Sequence, residues 1–532
     1  MHQETAPGVF SAPTLECSPH RRRRLTWLAV GLLPVLTIVV GCLPDESEPD
    51  TAPEAAVPFV NVELNLAVPS GFDFRNRWQI LLDEWAAQTG SKWNLSEYTI
   101  TPAGVTWPAG EPAQSHIWIL PTPQISEWIT EGRLGSIPSD QQSTAGVDWL
   151  DIIRGLRERL ASYERQPIVL PISSPSLICY YRSDLLARAG LQPPRTWDDY
   201  LALAKSRDIW AENLQVVEPW SEDWRATMFL SRAMAYVAHP GHLSVYFDVL
   251  TGEPIIDHEG YVECLQDALQ ALQQMPESVR SMSPADCRRE ILEGRAALAV
   301  SFETGRPAEL IPFSPQSPNT AERQAEASDL PSTADAAPIV QRSSEADIGF
   351  SVLPGRQTVF NRSTNRWEPY TSGPVSSAAL TGFAGLSAGV GANLDSTQAA
   401  AAWNLLALLT RENPAAAFPP PLRTPCRESQ LRSTTGMVGP ELTADEARRY
   451  LDACVTALRD QQLRTELPVT SAARFRDALT RGISAAMTNE SEPAEALSAV
   501  KREWEQLADK IGKRKVLNSY RRSVGLFPLP SE

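Results

Sequence analysis

Three short stretches pair flat aromatic rings with carboxylates: Trp220-Ser-Glu-Asp-Trp224, Phe302-Glu303 and Phe72-Asp73. Such a pair grips a small polar molecule that also has apolar faces, because rings stack on C–H surfaces while carboxylates accept hydrogen bonds from hydroxyls. Tyr180 and Tyr181 offer a further ring, and since neighbours alternate across a strand, at most one of the two is expected to face a ligand, Tyr180 being the candidate. Each feature also has a plain structural use, as core packing for the rings, a helix cap for Asp73 and a solvated loop for Glu303.

Covalent chemistry finds less support. Gly385-Leu-Ser-Ala-Gly389 matches the turn that presents a nucleophilic serine, but that chemistry needs a histidine later in the chain, and the last histidine is His258. His239-Pro-Gly-His242 with His258 lacks a third close ligand, so no metal site is expected. No phosphate-cradling GxxxxGK[ST] loop is present. Among 64 acidic residues, pairs suited to glycoside hydrolysis exist in principle and none stands out. No catalytic residue and no cofactor is therefore assigned.

The elements that must position these residues begin with a leader. Arg21–Arg24 precede the apolar run Leu25–Val40, which Pro34 interrupts and which is short for a membrane span of roughly 20 residues. Val39-Val-Gly-Cys42 resembles the lipobox of bacterial lipoproteins, so residues 1–41 are expected to be removed and Cys42 lipidated, an uncleaved anchor helix being the alternative. Removing four Arg and two Glu takes the net charge from −16 to −18. An acidic surface argues against nucleic acid as partner. Residues 42–58, acidic and Pro-rich, read as a tether.

Beyond the tether, Phe59–Val68 alternates like a strand, and a helix over about Arg75–Thr89 carries Trp78, Leu81, Leu82 and Trp85 on one face. Strands near Trp93–Thr101 and Ser115–Leu120 follow, then a helix over Thr122–Thr130 that Gly132 ends. The rhythm predicts an α/β fold with a largely parallel sheet. Trp78, Trp85, Trp118, Trp128, Trp149 and Trp403 sit in periodic segments and read as core. The run Pro312–Asp347 has no apolar periodicity and reads as a surface insertion. Lys510, Lys513, Arg514, Lys515, Arg521 and Arg522 read as a solvated basic tail, or one that meets anionic lipid or a partner protein.

One segment is more specific. Tyr180-Tyr-Arg-Ser-Asp-Leu-Leu-Ala-Arg-Ala-Gly-Leu-Gln-Pro-Pro-Arg-Thr-Trp-Asp-Asp199, a strand, a short helix ended by Gly190 and a helix capped by Thr196, strongly resembles the hallmark of family 1 extracellular solute-binding proteins, the sugar-binding lipoproteins of ABC importers. Gly294–Glu303, Ile348–Gly355, Gly382–Ala388 with Gln398–Leu406, and Pro493–Trp504 resemble that family's later motifs in the same order.

The resemblance implies a two-lobed periplasmic-binding-protein fold (type II-like), with a hinge and a ligand cleft between the lobes. Lobe one is expected at 59–170 plus 346–412, and lobe two at 171–345 plus 413–532 with 312–347 as the insertion. It implies capture of a small solute, a sugar or oligosaccharide, by a monomer that serves ABC permease subunits on the extracytoplasmic side and meets the membrane only through its lipid. Phe72, Asp73, Tyr180, Trp220, Trp224, Phe302, Glu303 and Phe383 are its expected ligand contacts. An oxidising compartment permits disulfides, expected as Cys264–Cys287 and Cys426–Cys454, with Cys179 buried in its strand. The alternatives are a glycosidase in the same compartment and a binding lipoprotein that feeds a sensor.

Overall fold

The computed structural model describes residues 58–101, 104–106, 115–206, 214–303, 342–343, 346–411, 424–432, 438–439 and 441–530. The expectations for residues 1–41, for Cys42, for the tether up to residue 57 and for most of the 312–347 insertion lie outside these residues. No described helix is long and apolar enough to cross a membrane.

The chain begins with β1 (Glu63–Pro69), whose Leu64, Leu66 and Val68 are buried. It continues through α1 (Phe74–Thr89), β2 (Lys92–Thr101), β3 (Gly104–Thr106), β4 (Ile117–Pro121), α2 (Ile125–Thr130), α3 (Arg154–Arg159), the hairpin β5 (Ser162–Tyr163) and β6 (Gln166–Pro167), and β7 (Val169–Pro171). Trp78, Leu82 and Trp85 of α1 are buried on one face, and the Trp85 indole donates to Asn404 Oδ1 at 2.8 Å.

The next group comprises β8 (Ile178–Arg182), α4 (Ser183–Ala189), α5 (Trp197–Lys205), β9 (Gln215–Val217), α6 (Arg225–Val237), α7 (Glu259–Leu272), α8 (Pro284–Leu292), β10 (Ala296–Ser301), β11 (Ile348–Val352), the hairpin β12 (Thr358–Asn361) and β13 (Arg366–Pro369), and β14 (Leu380–Thr381). Gly190 ends α4 with φ 66°, and Thr196 caps α5 reciprocally with Asp199. The chain then makes β15 (Leu386–Val390) and the helix Ser396–Arg411, followed by helix Ala444–Leu458, β16 (Arg464–Thr465) and helices Ala472–Met487, Pro493–Ile511 and Lys513–Ser523.

These strands form two principal sheets. The first has the order β3-β2-β1-β4-β15-β7, with β1 parallel to β2 and β4 but β15 antiparallel to β4 and β7. The second has the order β11-β8-β10-β9 and is parallel only between β10 and β9. Each sheet has its own core. One contains Trp78, Trp85, Trp118, Trp128, Trp149 and Trp403 as expected, and the other is built around Tyr180, Trp220, Phe247 and Trp504.

Three sequence expectations shift. The apolar run from Ile168 is two strands in different sheets, because Pro171 and Pro175 lack the N–H needed to continue one ladder. The Ile348–Gly355 strand does not return to the first lobe at 346; β11 pairs with β8, and Phe350 packs edge-on against Tyr180 at 4.8 Å and Tyr450 at 5.5 Å. Residues 348–384 thus belong to the second core, and the return is made just before β15. The basic C-terminus is the amphipathic helix Lys513–Ser523, with Tyr520 buried and Arg522 ion-paired to Glu164 of the β5–β6 turn at 2.6 Å.

The expected disulfides are absent as well. All five described cysteines are free and buried, and Cys426 lies in the first core while Cys454 lies in the second. Burial pushes the Cys426 and Cys454 thiols up to about 12.

Candidate functional site

The chain crosses between the two cores at residues 172–177, again at 382–385, and a third time between Cys426 and Leu442. The second crossing needs glycine. At Gly385, with φ +94°, a Cβ would lie 2.0 Å from the Ser173 carbonyl oxygen, and at Gly382, with φ +79°, it would lie 2.4 Å from Thr465 Cγ2. The glycines that the sequence shows as a motif are therefore demanded by their positive φ and by the close approach of the Ser173 backbone and the Thr465 side chain.

Buried hydroxyls tie the crossings together. Ser173 Oγ meets Thr424 Oγ1 at 3.0 Å, Ser174 Oγ meets Thr381 Oγ1 at 2.6 Å, and Thr122 Oγ1 meets Ser387 Oγ at 3.3 Å. A hydroxyl donates once and accepts twice, so such contacts can change partners by rotation without leaving a buried group unpaired. The site serine of the GxSxG match, Ser387, is one of these groups, and the described residues bring no histidine to it.

Phe383 sits in the second crossing between glycines 382 and 385, and around it the two sheets meet. Its ring is 5.9 Å from Trp224 and 5.9 Å from Phe302, whose own rings are 5.8 Å apart. Trp224 precedes α6, beyond the C-terminal end of β9, and Phe302 immediately follows β10. From the first lobe, the turn after β4 reaches the same segment, where the Thr122 N–H donates to the Gly385 carbonyl at 3.1 Å. Ligands of α/β sheets bind beyond the carboxyl ends of strands, which is where these groups lie. All three rings are buried, and the Trp224 Nε1–H has no hydrogen-bond partner among the described residues. Gln124 Oε1, in the turn after β4, and Ser176 Oγ, in the first crossing, are likewise buried and unpartnered.

Beside the rings lies a charged cluster. Glu303 Oε1 accepts from the Tyr180 hydroxyl at 3.0 Å and from Arg288 Nε at 2.8 Å; Oε2 accepts from Arg288 Nη2 at 2.8 Å and the Gly439 N–H at 3.3 Å. Arg288 also reaches Glu441 at 3.1 Å, and the Tyr450 hydroxyl accepts from the Glu303 N–H at 2.9 Å. Burial alone would lower the Arg288 guanidinium; the charge and hydrogen bonds of Glu303 outweigh it and hold it above its ordinary value. Burial, reinforced by Glu303, raises Tyr180 well above the usual phenol.

Four accepted hydrogen bonds fill the lone pairs of Glu303. The carboxylate that the sequence offers for a ligand hydroxyl is thus committed to the protein, and holds Phe302 and the 439–450 segment in place.

The other expected contacts divide cleanly. Trp224, Phe302 and Phe383 come together, with Tyr180 and Glu303 bonded alongside. Trp220 does not join them: its Nε1–H donates to Glu218 Oε2 at 2.8 Å, and Glu218 pairs with Arg232 at 2.8 Å inside the second core. Phe72 packs on Phe74 at 5.7 Å in the first core, and no described contact links it to the aromatic trio. Asp73 occupies the position before α1 without capping its backbone, and accepts from Asn76 Nδ2 at 2.7 Å.

Arg288, Glu441, Tyr450 and the hydroxyls of Ser173, Ser174, Thr381 and Thr424 are not singled out by the sequence. Only the Ser173-Ser-Pro-Ser176 run, read there as strand, carries a visible signal. Among the described residues no group of His, Cys, Asp or Glu could hold a metal ion.

No protein-family model matches the chain, and no curated protein sequence matches it at a significant level. Solved structures do match. MalE, a sugar-binding protein from the phytopathogen Xanthomonas citri, is 14% identical with a TM-score of 0.56, over 85% of this chain and 98% of that one. The maltose-bound MalE3 of T. maritima is 16% identical with a TM-score of 0.53, over 84% of this chain and all of that one. A ribitol-bound ABC transporter solute-binding protein from Agrobacterium radiobacter K84 is 15% identical with a TM-score of 0.51, over 85% and 100%. The chain has the two-lobed α/β fold of these solute-binding proteins.

Proposed function

We propose that the protein captures a small carbohydrate or polyol between its two lobes and delivers it to an ABC importer, from an extracytoplasmic position held by a lipid on Cys42. The observation that carries this reading is the convergence on Phe383. A crossing segment with glycine at 382 and 385 meets two aromatic rings of the second lobe, Trp224 and Phe302, while the Thr122 N–H of the first-lobe turn donates to its Gly385 carbonyl.

Rings around a crossing suit the C–H faces of a sugar, and Trp224 Nε1–H, Gln124 Oε1 and Ser176 Oγ offer unspent hydrogen bonds for hydroxyls. Because the rings are covered, a solute reaches them only when the lobes part, and closure over a ligand then follows from its contacts to both lobes. In this reading Glu303, Arg288 and Tyr180 position the rings. The basic helix Lys513–Ser523 braces the lobes, and the leader and acidic tether account for residues 1–58.

Titrating the mature protein with a panel of oligosaccharides and polyols, followed by tryptophan fluorescence and by chromatography of the sugar, tests the reading. Saturable quenching with the sugar recovered intact is expected. Released monosaccharide would instead favour a glycosidase, and no response across the panel would overturn carbohydrate capture.

A further inference from the structure

A small cavity lies between helix α3 and strand β16, lined by the polar side chains of Arg159, Tyr246, Arg464, Thr465 and Tyr520 together with apolar ones such as Leu243 and Val245. It has room for a water-sized particle, and none of its lining residues is acidic.

Arg464 is the anomaly. It is 7% exposed, yet its guanidinium donates only to neutral acceptors: the Leu463 carbonyl at 3.2 Å, the His242 carbonyl at 3.3 Å and Gln462 Oε1 at 2.9 Å. Among the described residues its Nε–H has no partner, and neither has the buried hydroxyl of Tyr246. The other buried arginines of the second lobe, Arg182, Arg232 and Arg288, have a carboxylate at 2.7, 2.8 and 2.8 Å respectively. Arg464 has none within ion-pair distance among the described residues. A buried charge without a counter-charge is costly, so one normally comes with a compensating ion.

The surroundings sharpen this. Arg159, half-buried at the end of α3, faces Arg464 with like charge, and together with burial it lowers the Arg464 guanidinium to about 10. Asp460 offsets this only from beyond ion-pair distance. Glu466, which acts on Tyr246, is held by Arg476 Nε at 2.7 Å and does not line the cavity.

We propose that this cavity binds one small monovalent inorganic anion, of chloride size, between Arg464 of the second lobe and Arg159 of the first. The anion supplies the missing counter-charge and accepts from Arg464 Nε. Because its two cationic ligands belong to different lobes, it also ties the back of the hinge together. The site is independent of the solute reading.

Chloride-35 NMR of the intact mature protein in sodium chloride tests it. A protein-dependent excess line width that saturates, and that bromide displaces, is expected. Arg464→Met should abolish it, and Arg159→Gln should weaken chloride binding about tenfold while leaving the fold intact by circular dichroism. Chloride should raise the melting temperature of the parent protein above that in sodium gluconate of equal ionic strength, and should leave Arg464→Met at its gluconate value. Absence of excess broadening, or equal broadening in the folded variants, would overturn the proposal in favour of a water-filled cavity. Should Arg464→Met not fold, Arg159→Gln decides alone.

Discussion

The second lobe buries two arginine–glutamate pairs of similar chemistry, and they do different work. Glu218 and Arg232 lie 14 residues apart and are wholly enclosed, with Trp220 donating to the carboxylate and Trp197 stacked on the guanidinium at 3.7 Å. Their bonds stay inside one core. Glu303 and Arg288 are as closely paired, but the cluster extends 136 residues along the chain to Gly439 and on to Glu441, which is about one-quarter exposed. One pair is sealed in a core, and the other links the end of β10 to a segment arriving from beyond the second crossing. Residue type and burial do not distinguish them; the reach of their hydrogen bonds does.

The largest effect that would test this contrast is on stability. Glu218→Ala strands Arg232 without a counter-charge in the core and should cost about 3–5 kcal/mol by chemical denaturation. Sugar affinity of the remaining folded fraction should be unchanged. Glu303→Ala should cost less, because Arg288 retains Glu441, yet it should weaken sugar binding about tenfold by releasing Phe302 and residue 439. If Glu218→Ala also weakened binding, or Glu303→Ala left it untouched, the contrast would fail.

Trp224→Phe gives a smaller and more selective effect. The ring is kept and only the unpartnered indole donor is lost, so the unliganded protein should be as stable or slightly more so. Calorimetry should show sugar affinity reduced by about 0.5–1.5 kcal/mol, the worth of one hydrogen bond.

The smallest effect belongs to neither pair and serves as their control. Burial, then the charges of Arg362 and His239, lower His242 from the ordinary histidine value to about 4, with Glu368 acting weakly the other way. The folded state therefore holds His242 neutral where the unfolded chain would already be protonated. Stability is complete above pH 6.5 and falls as the pH drops toward 4. After allowance for solvent screening the loss is about 1 kcal/mol. His242→Asn should flatten that part of the curve, measured by urea midpoint, and leave the responses of both glutamate variants as they were.

Much of the architecture was legible because it is written locally. The β1 alternation, the Trp78–Trp85 face of α1, the Gly190 stop and the Thr196 cap are patterns within a few residues, and each recurs in the fold. The lobe boundary near 346 was misplaced for a non-local reason: an amphipathic strand declares that it has a buried face, not which sheet buries it, and β11 finds Tyr180 and Tyr450 in the second core. Trp220 and Trp224, four residues apart in one motif, illustrate the same limit. The first turns inward to Glu218 and the second meets Phe302 and Phe383, and nothing in the spacing separates those outcomes.

By itself the sequence determined an α/β chain with a basic and then apolar run near its start, an acidic Pro-rich stretch after it and the order of motifs of a two-lobed binding fold, because composition, periodicity and capping act over short range. Only the tertiary structure decided that Glu303 is saturated, that the five described cysteines are unpaired, that the basic C-terminus is a helix tied to Glu164, and that buried Arg464 has no carboxylate within ion-pair distance among the described residues. Each of these depends on groups tens to hundreds of residues apart, and hydrogen-bond saturation and charge pairing are properties of the packed neighbourhood, not of the residue that carries them.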